Sequence, residues 1–400
     1  MTQVMEALGG PWTLGAAPRD YVLGHVTAVL PDAVLDDALI AVRDGRIAAV
    51  EPHRPGIEPD VDGQGMLCLP GLVDVHSDGL EKERRPRPGA ELPMEFAVLS
   101  FEGKLRAAGI TTVFHGAGFE DSKAGGLDRS VATAERTCDV VADRTEGLVD
   151  HRILYRLDVR CPDGLAALQR RLGEQGDTAA LVSHEDHTPG QGQYADRGYY
   201  ERYLSGTKGL SESAARAEVD ELITERATKL DVRERSLAWL GELATAGRIR
   251  LLGHDPDSAA EIDDLRARGG SVAEFPTTVE AAAAAREHGL PVVMGAPNVL
   301  RGGSHAGNVS GRELVSRGLV TALASDYLPS GLLAAALLLA DEIGLPAAVG
   351  LVTSGAAEVA GLADRGAVAP GLRADLTLVA GGRRWPDVRA VMTGGEPCPT

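Results

Sequence analysis

Short apolar runs rich in β-branched residues alternate with amphipathic, Ala-rich stretches through most of the chain. The apolar runs are 67–75, 110–115, 152–159, 179–184, 249–254, 271–275, 291–294 and 320–325, and the clearest helical patterns between them are 94–108, 131–145, 233–246, 279–288 and 332–342. Short apolar runs are typical of buried strands, and the longer amphipathic stretches are typical of the helices that cover them. Eight such β-α units predict an α/β fold, a TIM-like (β/α)8 barrel.

The two ends of the chain have a different pattern, in which short strands follow one another without helices. Strands are predicted at 22–30, 38–43 and 46–50, with a turn at Asp44-Gly45, and again at 375–379 and 388–393. Domain termini often lie close together. We therefore expect a small β-sandwich domain formed by the N-terminal segment 1–66 and the C-terminal segment 363–400, with the barrel at 67–362.

The segment 188–230 is longer than an ordinary βα loop. It carries Pro189-Gly190-Gln191, the pair Tyr199-Tyr200 and a charged helical tract. We predict an insertion that either forms a lid over the site or makes a subunit contact.

Composition limits the partners of this chain. The formal charge of −18 over 400 residues would repel polyanions, so we expect no nucleic acid and no anionic membrane as a partner. The four cysteines show no C-x-x-C spacing, the N-terminus lacks a signal pattern, and no apolar run reaches membrane-spanning length. These features favour a cytoplasmic protein, and a homo-oligomer is compatible with them.

Polar side chains follow most of the apolar runs, and a barrel gathers the carboxyl ends of its strands at one rim. His76 and Asp78 end the first run two positions apart, which places both side chains on one face of the strand. The other strand-end candidates are His115, Asp158, His184, Glu185, Asp186, His187, His254, Asp255, Asn298, Arg301, His305 and Asp326. One histidine at a strand end is ordinary loop chemistry, but so many together predict a site for one or two divalent metal ions.

Asp326 follows the eighth apolar run and has two interpretations. A carboxylate near a cation stays ionised and can accept a proton from water, which would make Asp326 a general base. Alternatively, Asp326 orients a metal ligand such as His254.

Two segments rich in hydrogen-bond donors predict an anion-binding region. The basic run 82–87 follows the first strand, and the glycine-rich segment 295–308 follows the seventh. Basic side chains attract phosphate or carboxylate groups, and glycines let backbone N–H groups approach an anion, although a charge run can also be only a solvated surface. Together they favour a small substrate that carries several phosphates. The side chains predicted to bind it are Lys82, Arg87, Asn298, Arg301, His305 and Asn308, and Ser304 supplies a further donor in the glycine-rich segment.

Several motifs together resemble one enzyme family. They are Pro-Gly-Leu-Val-Asp-Val-His at 70–76, His-Ser-Asp-Gly-Leu-Glu-Lys at 76–82, Asp-His-Thr-Pro-Gly-Gln at 186–191, Glu-Phe-Pro-Thr-Thr at 274–278, the segment 294–308, Ser-Asp-Tyr at 325–327 and Pro-Gly-Leu-Arg-Ala-Asp-Leu at 370–376. Over essentially the whole chain the sequence resembles the amidohydrolase superfamily, and within it the α-D-ribose 1-methylphosphonate 5-triphosphate diphosphatases. The resemblance implies a metal-dependent hydrolase of phosphonate catabolism that releases pyrophosphate from a ribose 5-triphosphate.

The resemblance also implies a role for individual residues. These roles are metal ligation by His76, Asp78, His187 and His254, a bridging carboxylate at Asp158, acid/base chemistry at Asp326, and phosphate binding by Lys82, Arg87, Arg301, His305 and Asn308. Zinc is the expected metal, with manganese, nickel or iron as alternatives.

Four positions depart from the pattern of that family. Gly79 stands where an asparagine is usual, Asp158 stands where a glutamate is usual, and His115 and Glu185 add potential ligands. Two other functions therefore stay open. One is an amidohydrolase that cleaves a C–N bond of a small anionic substrate, as a deacetylase or cyclic amidase does. The other is a catalytically silent barrel that only binds its ligand.

Overall fold

Two β-sheets organise the structure, a computed structural model that describes residues 17–121, 129–144, 147–174, 176, 179–304, 307–381 and 385–394. The strands are β1 (Tyr21–Val29), β2 (Val34–Arg43), β3 (Arg46–Pro52), β4 (Val61–Asp62), β5 (Leu67–Pro70), β6 (Leu72–Ser77), β7 (Ile110–Phe119), β8 (Asp150–Asp158), β9 (Ala180–Glu185), β10 (Ile249–His254), β11 (Val272–Glu274), β12 (Val292–Gly295), β13 (Ala322–Ala324), β14 (Leu376–Val379) and β15 (Val388–Met392). In these ranges β6 to β13 form one eight-stranded sheet, and seven strands form a second sheet in the order β15-β14-β5-β1-β2-β3, with β4 beside β1.

The parallel sheet curls until its last strand meets its first. Asp326 N donates to His76 O at 2.9 Å, and Asp78 N donates to Asp326 O at 2.6 Å. Ser77 and Asp326 form a parallel bridge at the same place. The interior is filled by Val73, Val75, Phe114, Leu154, Leu181, Leu252, Val272, Val293, Ala322 and Ala324. The predicted TIM-like barrel is thus confirmed, and its closure brings the first and last candidate metal motifs together.

The helices lie between the barrel strands and cover them. They are α1 (Gly79–Arg84), α2 (Met94–Ala107), α3 (Val131–Ala142), α4 (Pro162–Gly173), α5 (Arg197–Lys208), α6 (Glu212–Ala227), α7 (Leu230–Thr245), α8 (Ala259–Ala267), α9 (Val279–Glu287), α10 (Ala296–Arg301), α11 (Gly311–Ser316), α12 (Gly331–Ile343), α13 (Leu345–Gly350) and α14 (Ser354–Ala360). All five predicted helical patterns coincide with helices, within a few residues at each end. Across the described ranges, no helix has both the length and the apolar character that crossing a bilayer requires.

The first apolar run, 67–75, is not one barrel strand as predicted. Its beginning is β5, which pairs with β1 and β14 in the small sheet, and its end is β6, which pairs with β7 in the barrel. The chain changes sheets at Gly71, where a Cβ atom would lie 2.3 Å from Thr111 Oγ1 and 2.9 Å from Asp375 Cβ. Only glycine fits so close an approach. Both strands are buried, so hydrophobicity alone does not reveal the break.

The pairing of the two chain ends is confirmed. β14 runs antiparallel to β5, with Leu376 opposite Pro70 and Val379 opposite Leu67, and β15 completes the edge of the sheet. The buried core of this sheet includes Tyr21, Leu23, Val26, Ile40, Ile47, Leu376 and Met392. The small domain is therefore built from both ends of the chain, as the strand patterns predicted.

The insertion at 188–230 forms a 3-10 turn at Gly192–Tyr194 and the two helices α5 and α6. Tyr200, Leu204, Ala215 and Val219 are buried between these helices. At the end of α6, the Arg226 guanidinium donates to both oxygens of Asp158 at 2.8 Å and to Asp186 Oδ1 at 3.0 Å. A Cβ atom at Gly192 would lie 3.3 Å from Asp255 Cβ. The insertion is thus anchored to the ends of β8 and β9 and borders the barrel rim.

Candidate metal centre

Glu274, at the end of β11, links the rings of two histidines from different strands. His76 Nδ1 lies 2.8 Å from Glu274 Oε1, and His254 Nδ1 lies 2.7 Å from Glu274 Oε2. Ser183 Oγ donates to Glu274 Oε2 at 2.6 Å. A carboxylate only accepts hydrogen bonds, so each Nδ1 carries the proton, and in the neutral ring Nε2 keeps its lone pair. This orientation is the one that histidine metal ligands usually have.

One group of donor atoms gathers where β6 meets β13. It consists of His76, Asp78 and Asp326, each with one ligand atom within 4.8 Å of the others. His76 Nε2 lies 3.6 Å from Asp78 Oδ1. Asp326 has a positive φ of 56°, which is uncommon for a residue other than glycine and turns the chain sharply at the rim. The His-x-Asp motif and the residue predicted as acid/base therefore share one location.

A second group gathers beside it at the ends of β9 and β10. It consists of His187, His254 and Asp255. Asp255 Oδ2 lies 3.4 Å from His254 Nε2 and 3.8 Å from His187 Nε2. Within the described residues, His187 Nε2 and Asp255 Oδ2 are buried and have no hydrogen-bond partner. Buried polar atoms are normally satisfied, so these two point to a bound group that supplies the missing interaction.

The donor set fits a divalent metal ion. Imidazole nitrogens and carboxylate oxygens converge, and Glu274 holds two of the rings from behind. Nitrogen and oxygen ligands of this kind suit zinc, and also manganese, nickel and iron. Of the five predicted ligands, the structure brings together His76, Asp78, His187 and His254, and it adds Asp255.

Asp158 belongs to none of the groups of metal-donor atoms found among the described residues, so its position does not support the expected bridging role. Both of its oxygens are occupied by Arg226, and Oδ1 also accepts from Arg160 N at 3.0 Å. The short side chain is folded back into a turn at the strand end. Asp158 thus anchors the insertion to the rim of the barrel.

A guanidinium takes the place beside the predicted ligand Asp78. Arg156, near the carboxyl end of β8, is buried and donates from Nη1 to both oxygens of Asp78 at 2.6 and 2.7 Å. Its Nε donates to Glu185. Arg129 reaches Asp78 Oδ2 at 3.0 Å and also pairs with Glu81. Two guanidinium groups therefore flank this side of the centre, and both are paired with carboxylates.

The two additional potential ligands have different positions. Glu185 is near the centre, since its Oε2 lies 3.8 Å from His187 Nδ1. His115 is not, because its Nε2 lies 2.8 Å from His151 Nδ1, and His151 Nε2 lies 3.1 Å from Glu102 Oε2 on α2. His115 therefore belongs to the layer between strands and helices, and the expectation that it adds a ligand was wrong.

Burial and neighbouring charges shift the titration of the centre. Burial alone would lower the pKa of His76, but the carboxylates of Glu274 and Asp78 together outweigh it and raise that pKa to about 10. Burial lowers the pKa of His187 to about 4 and raises the pKa of Asp255 to about 6. Burial and the Asp78 carboxylate raise the pKa of Asp326 above its usual range. Without a bound cation beside it, Asp326 is thus more basic than an exposed aspartate.

Two of the predicted phosphate-binding side chains meet at Tyr327. Lys82 Nζ lies 4.1 Å from the centroid of the Tyr327 ring, and Arg301 Nη1 donates to Tyr327 Oη at 2.6 Å. Arg301 and Asp326 line one cavity of about 100 Å³. Other residues that line this cavity are Asp255, Asn298, Ser304 and Asn308. We call Lys82, Tyr327 and Arg301 the cationic rim.

Of three further predicted binding residues, one holds a loop in shape, one is exposed in a turn, and one is not described by the structure. Asn298 Nδ2 donates to Val309 O at 3.2 Å, and Asn298 Oδ1 accepts from Gly311 N at 2.8 Å, so this side chain holds the loop in shape although it borders the cavity. Arg87 is exposed in the turn after α1, where it bridges to Ala90. His305 lies outside the described residues.

The glycine at position 79 has a steric explanation. A Cβ atom there would lie 2.5 Å from Phe101 Cζ and 2.8 Å from Phe101 Cε2. The ring of Phe101, on α2, thus occupies the space that a larger residue would need. A side chain at position 79 would therefore require the Phe101 ring to move.

Sequence reasoning missed Glu274, Arg156 and Arg129 as parts of the centre. Glu274 was present only as part of a motif, without a role. Arg156 gives a signal, because it is a charged residue inside the apolar run 152–159 and two positions before Asp158. A charged side chain in a strand buried on both faces needs a partner of opposite charge.

Comparisons with known proteins agree with this geometry. No model of a known protein family matches the chain. The α-D-ribose 1-methylphosphonate 5-triphosphate diphosphatase of Escherichia coli K12 is 36% identical over 366 residues, which cover 89% of this chain and 94% of that protein. An imidazolonepropionase of Cereibacter sphaeroides is 27% identical over 89% of this chain and 92% of that protein.

A solved structure supports the fold. The N-acetyl-D-glucosamine-6-phosphate deacetylase of Mycobacterium smegmatis superposes with a TM-score of 0.57 and 16% identity, over 93% of this chain and 97% of that chain. At this identity the likeness concerns the fold alone. The extent of the 36% match, together with the barrel and its gathered donors, shows that the chain belongs to the α-D-ribose 1-methylphosphonate 5-triphosphate diphosphatase family of amidohydrolase-type hydrolases.

Proposed function

We propose that this protein hydrolyses α-D-ribose 1-methylphosphonate 5-triphosphate to the 5-phosphate and pyrophosphate. The observation that carries the proposal is the location of the cationic rim, since Arg301 lines the same cavity as Asp326. A triphosphate needs cations along its chain of phosphates and a charged centre at the bond that breaks. The relative in Escherichia coli is named for this reaction.

The proposed metal ligands are His76, Asp78, His187, His254 and Asp255, in one or two sites. Zinc suits a donor set of imidazoles and carboxylates. A bound divalent cation would activate water as a nucleophile and neutralise charge on the phosphoryl oxygens.

The side chains of the protein supply the remaining steps. Asp326 accepts a proton from the attacking water, which its raised pKa favours. One water is consumed as one phosphoric anhydride P–O bond breaks. Lys82 and Arg301 hold the pyrophosphate as it leaves and balance the charge that develops on it. Glu274 fixes the two ligand rings so that the centre is preorganised.

A second function has some support from the imidazolonepropionase relative, which matches 89% of the chain at 27% identity. The same centre would then cleave a C–N bond, and the cationic rim would bind a single carboxylate or phosphate. The products separate the two functions, because only the first releases pyrophosphate.

The decisive experiment follows phosphorus NMR during turnover by zinc-reconstituted protein. The substrates are ribose 1-methylphosphonate 5-triphosphate and, as a control, ATP. We expect pyrophosphate from the phosphonate substrate at a rate far above that from ATP. A fully metal-loaded protein that releases no pyrophosphate would refute the proposal and direct the search to C–N bonds.

A further inference from the structure

The small sheet holds a cluster of two histidines and one aspartate that the barrel reaction does not use. His25 lies on β1, Asp37 on β2, and His53 immediately after β3. These three strands are consecutive and antiparallel, with Ala38 opposite both Val26 and Pro52. The backbone N–H of His53 donates to Asp37 O at 2.7 Å. The fold thus places the three side chains in a row across neighbouring strands.

The donor atoms of the cluster converge on the carboxylate of Asp37. His25 Nδ1 lies 3.0 Å from Asp37 Oδ1, and His53 Nδ1 lies 3.8 Å from Asp37 Oδ2. The rings of the two histidines lie 4.2 Å apart between centroids. One ligand atom from each of the three residues lies within 4.8 Å of the others. His25 Nδ1 is at hydrogen-bond distance from the carboxylate and carries a proton there, so a metal ion that contacts all three residues takes the place of this proton.

The hydrogen bonding of His53 leaves a lone pair directed at this carboxylate. His53 Nε2 lies 2.9 Å from Ile57 O, a carbonyl that only accepts, so Nε2 carries the proton. In the neutral ring Nδ1 is then unprotonated, and it faces the oxygen of Asp37, which is also an acceptor. His53 Nδ1 and Asp37 Oδ2 are thus two acceptors 3.8 Å apart, with no proton to share between them. A cation between them would satisfy both.

The backbone at the cluster is held in an uncommon conformation. His25 and Asp37 have positive φ angles of 54° and 45°. The strand pairing is irregular between Leu23 and Val26, where His25 lies. Residues other than glycine adopt positive φ rarely, and such positions concentrate at functional sites. The side chain of His53 is 11% exposed and that of His25 is 40% exposed, so solvent can reach the cluster.

We propose that His25, Asp37 and His53 bind one divalent transition-metal ion, of the class of Zn²⁺, Ni²⁺ or Cu²⁺, separately from the barrel centre. Two imidazole nitrogens and one carboxylate oxygen are the ligands that these ions prefer, and water completes the coordination at an exposed site. The ion joins three strands of the small sheet, so its binding stabilises the folded domain. The net charge of −18 favours cation binding at this surface.

The test is a count of bound ions in tag-free, full-length protein whose barrel centre is already loaded with zinc. Calorimetric titration with Zn²⁺ is expected to show one additional equivalent in the wild type, and one equivalent fewer in His53→Ala and in Asp37→Asn. Asp37→Asn keeps the backbone pairing of β2 and still offers an amide oxygen to His25. A loss of zinc binding in this variant would therefore not result from unfolding of the sheet. His288→Ala is the matched control, because His288 Nε2 pairs with Asp263 at 2.9 Å and, among the described residues, belongs to no cluster of three metal donors.

A second readout identifies the ligands. Electron paramagnetic resonance of one added equivalent of Cu²⁺ should show coupling to two imidazole nitrogens in the wild type, and to one in His53→Ala. Added zinc should raise Tm in the wild type and in His288→Ala but less in His53→Ala and Asp37→Asn, with turnover unchanged in all four. An equal number of bound zinc ions in the wild type and in both cluster variants would overturn the proposal.

Discussion

Arg156 donates from one nitrogen to both oxygens of Asp78, at 2.6 and 2.7 Å, inside the barrel. Asp78 is also one of the donors expected to hold a metal ion. Burial would raise the pKa of Asp78, but Arg156 and then Arg129 outweigh burial and keep that pKa well below its usual range. The carboxylate is therefore ionised before a metal ion arrives, which is the state that ligation requires.

This pairing predicts that Arg156→Met lowers the unfolding free energy more in metal-free protein than in zinc-loaded protein. In metal-free protein the variant removes the cation that the buried carboxylates of Asp78 and Glu185 share, and Asp78 keeps only Arg129, which should cost roughly 3–5 kcal/mol of unfolding free energy. The loss should be smaller in zinc-loaded protein, because a bound cation stands beside Asp78. Denaturant unfolding of both forms measures the difference.

Arg235→Met is the matched control, since Arg235 forms an exposed pair with Asp231 one turn away. It should change the unfolding free energy by no more than about 0.5 kcal/mol in either form. An equal loss for Arg156→Met with and without zinc would show that the metal ion does not act next to Asp78.

Glu274→Gln tests the link between His76 and His254. The amide offers only one acceptor oxygen, so one of the two rings loses its acceptor and can turn its proton to Nε2. We expect zinc affinity to fall about 10- to 100-fold, as measured by competition with a chelator of known affinity. Ser183→Ala removes only the hydroxyl that donates to Glu274 and should have a smaller effect. Unchanged affinity in Glu274→Gln would remove this carboxylate from the support of the centre.

Much of this architecture could be predicted from the sequence because the strands of a parallel barrel are easy to recognise. Its strands are buried on both faces, so each appears as a continuous apolar run, and the polar residue that follows it lies at the common rim. His76, Asp78, His187, His254 and Asp326 were found in this way. The strand patterns at the two chain ends predicted the small sheet for a similar reason.

The predictions for His115, Asp158 and the first apolar run were less successful because they depend on contacts that local sequence patterns do not contain. The sequence of a strand buried on both faces does not show which side chains point inward. The pairing of His115 with His151, which places His115 away from the centre, is therefore visible only in the structure. The role of Asp158 depends on Arg226, which lies 68 positions later in the chain. The break at Gly71 depends on a close approach to Thr111. Each of these features is a tertiary contact.

Asp326→Asn should lower kcat by at least roughly 10² while zinc content stays intact. The amide cannot accept a proton, whereas the remaining donors of the centre are unchanged. Turnover and metal analysis of the same preparation provide the measurement. Asp341→Asn, on the exposed side of α12, serves as a control and should retain wild-type kcat. Wild-type turnover in Asp326→Asn would refute the assigned role.

The contact between Gly79 and Phe101 predicts a specific double-variant result. Gly79→Asn inserts a side chain into space that the Phe101 ring fills, so it should lower the unfolding free energy by about 1–3 kcal/mol. Adding Phe101→Ala should make the asparagine substitution less costly than it is in the wild-type background, which a double-mutant cycle measures. Gly103→Asn, where a Cβ atom meets nothing within 4 Å, is the steric control. Additive losses would mean that Phe101 does not set the residue at position 79.

The buried relay from His115 through His151 to Glu102 predicts how stability depends on pH. Burial, followed by the charge of His151, holds the pKa of His115 well below its usual range, so the native state excludes a proton that the unfolded chain takes up below about pH 6.5. Because the unfolded state binds more protons, unfolding free energy falls as pH decreases, by up to about 1.4 kcal/mol per pH unit from this residue.

The window from about pH 5 to 6.5 isolates this effect from Glu102. Burial would raise the pKa of Glu102, but hydrogen bonds from His151 and Arg144 lower it to about 2, so its stabilising charge is lost only in stronger acid. Unfolding of zinc-loaded protein by denaturant at several pH values should give a shallower slope for His115→Gln than for the wild type. Arg235→Met, which removes an exposed side chain that does not titrate in this window, should keep the wild-type slope. If His115→Gln also kept that slope, His115 would bind its proton equally well in the folded and unfolded states, and the prediction would be wrong.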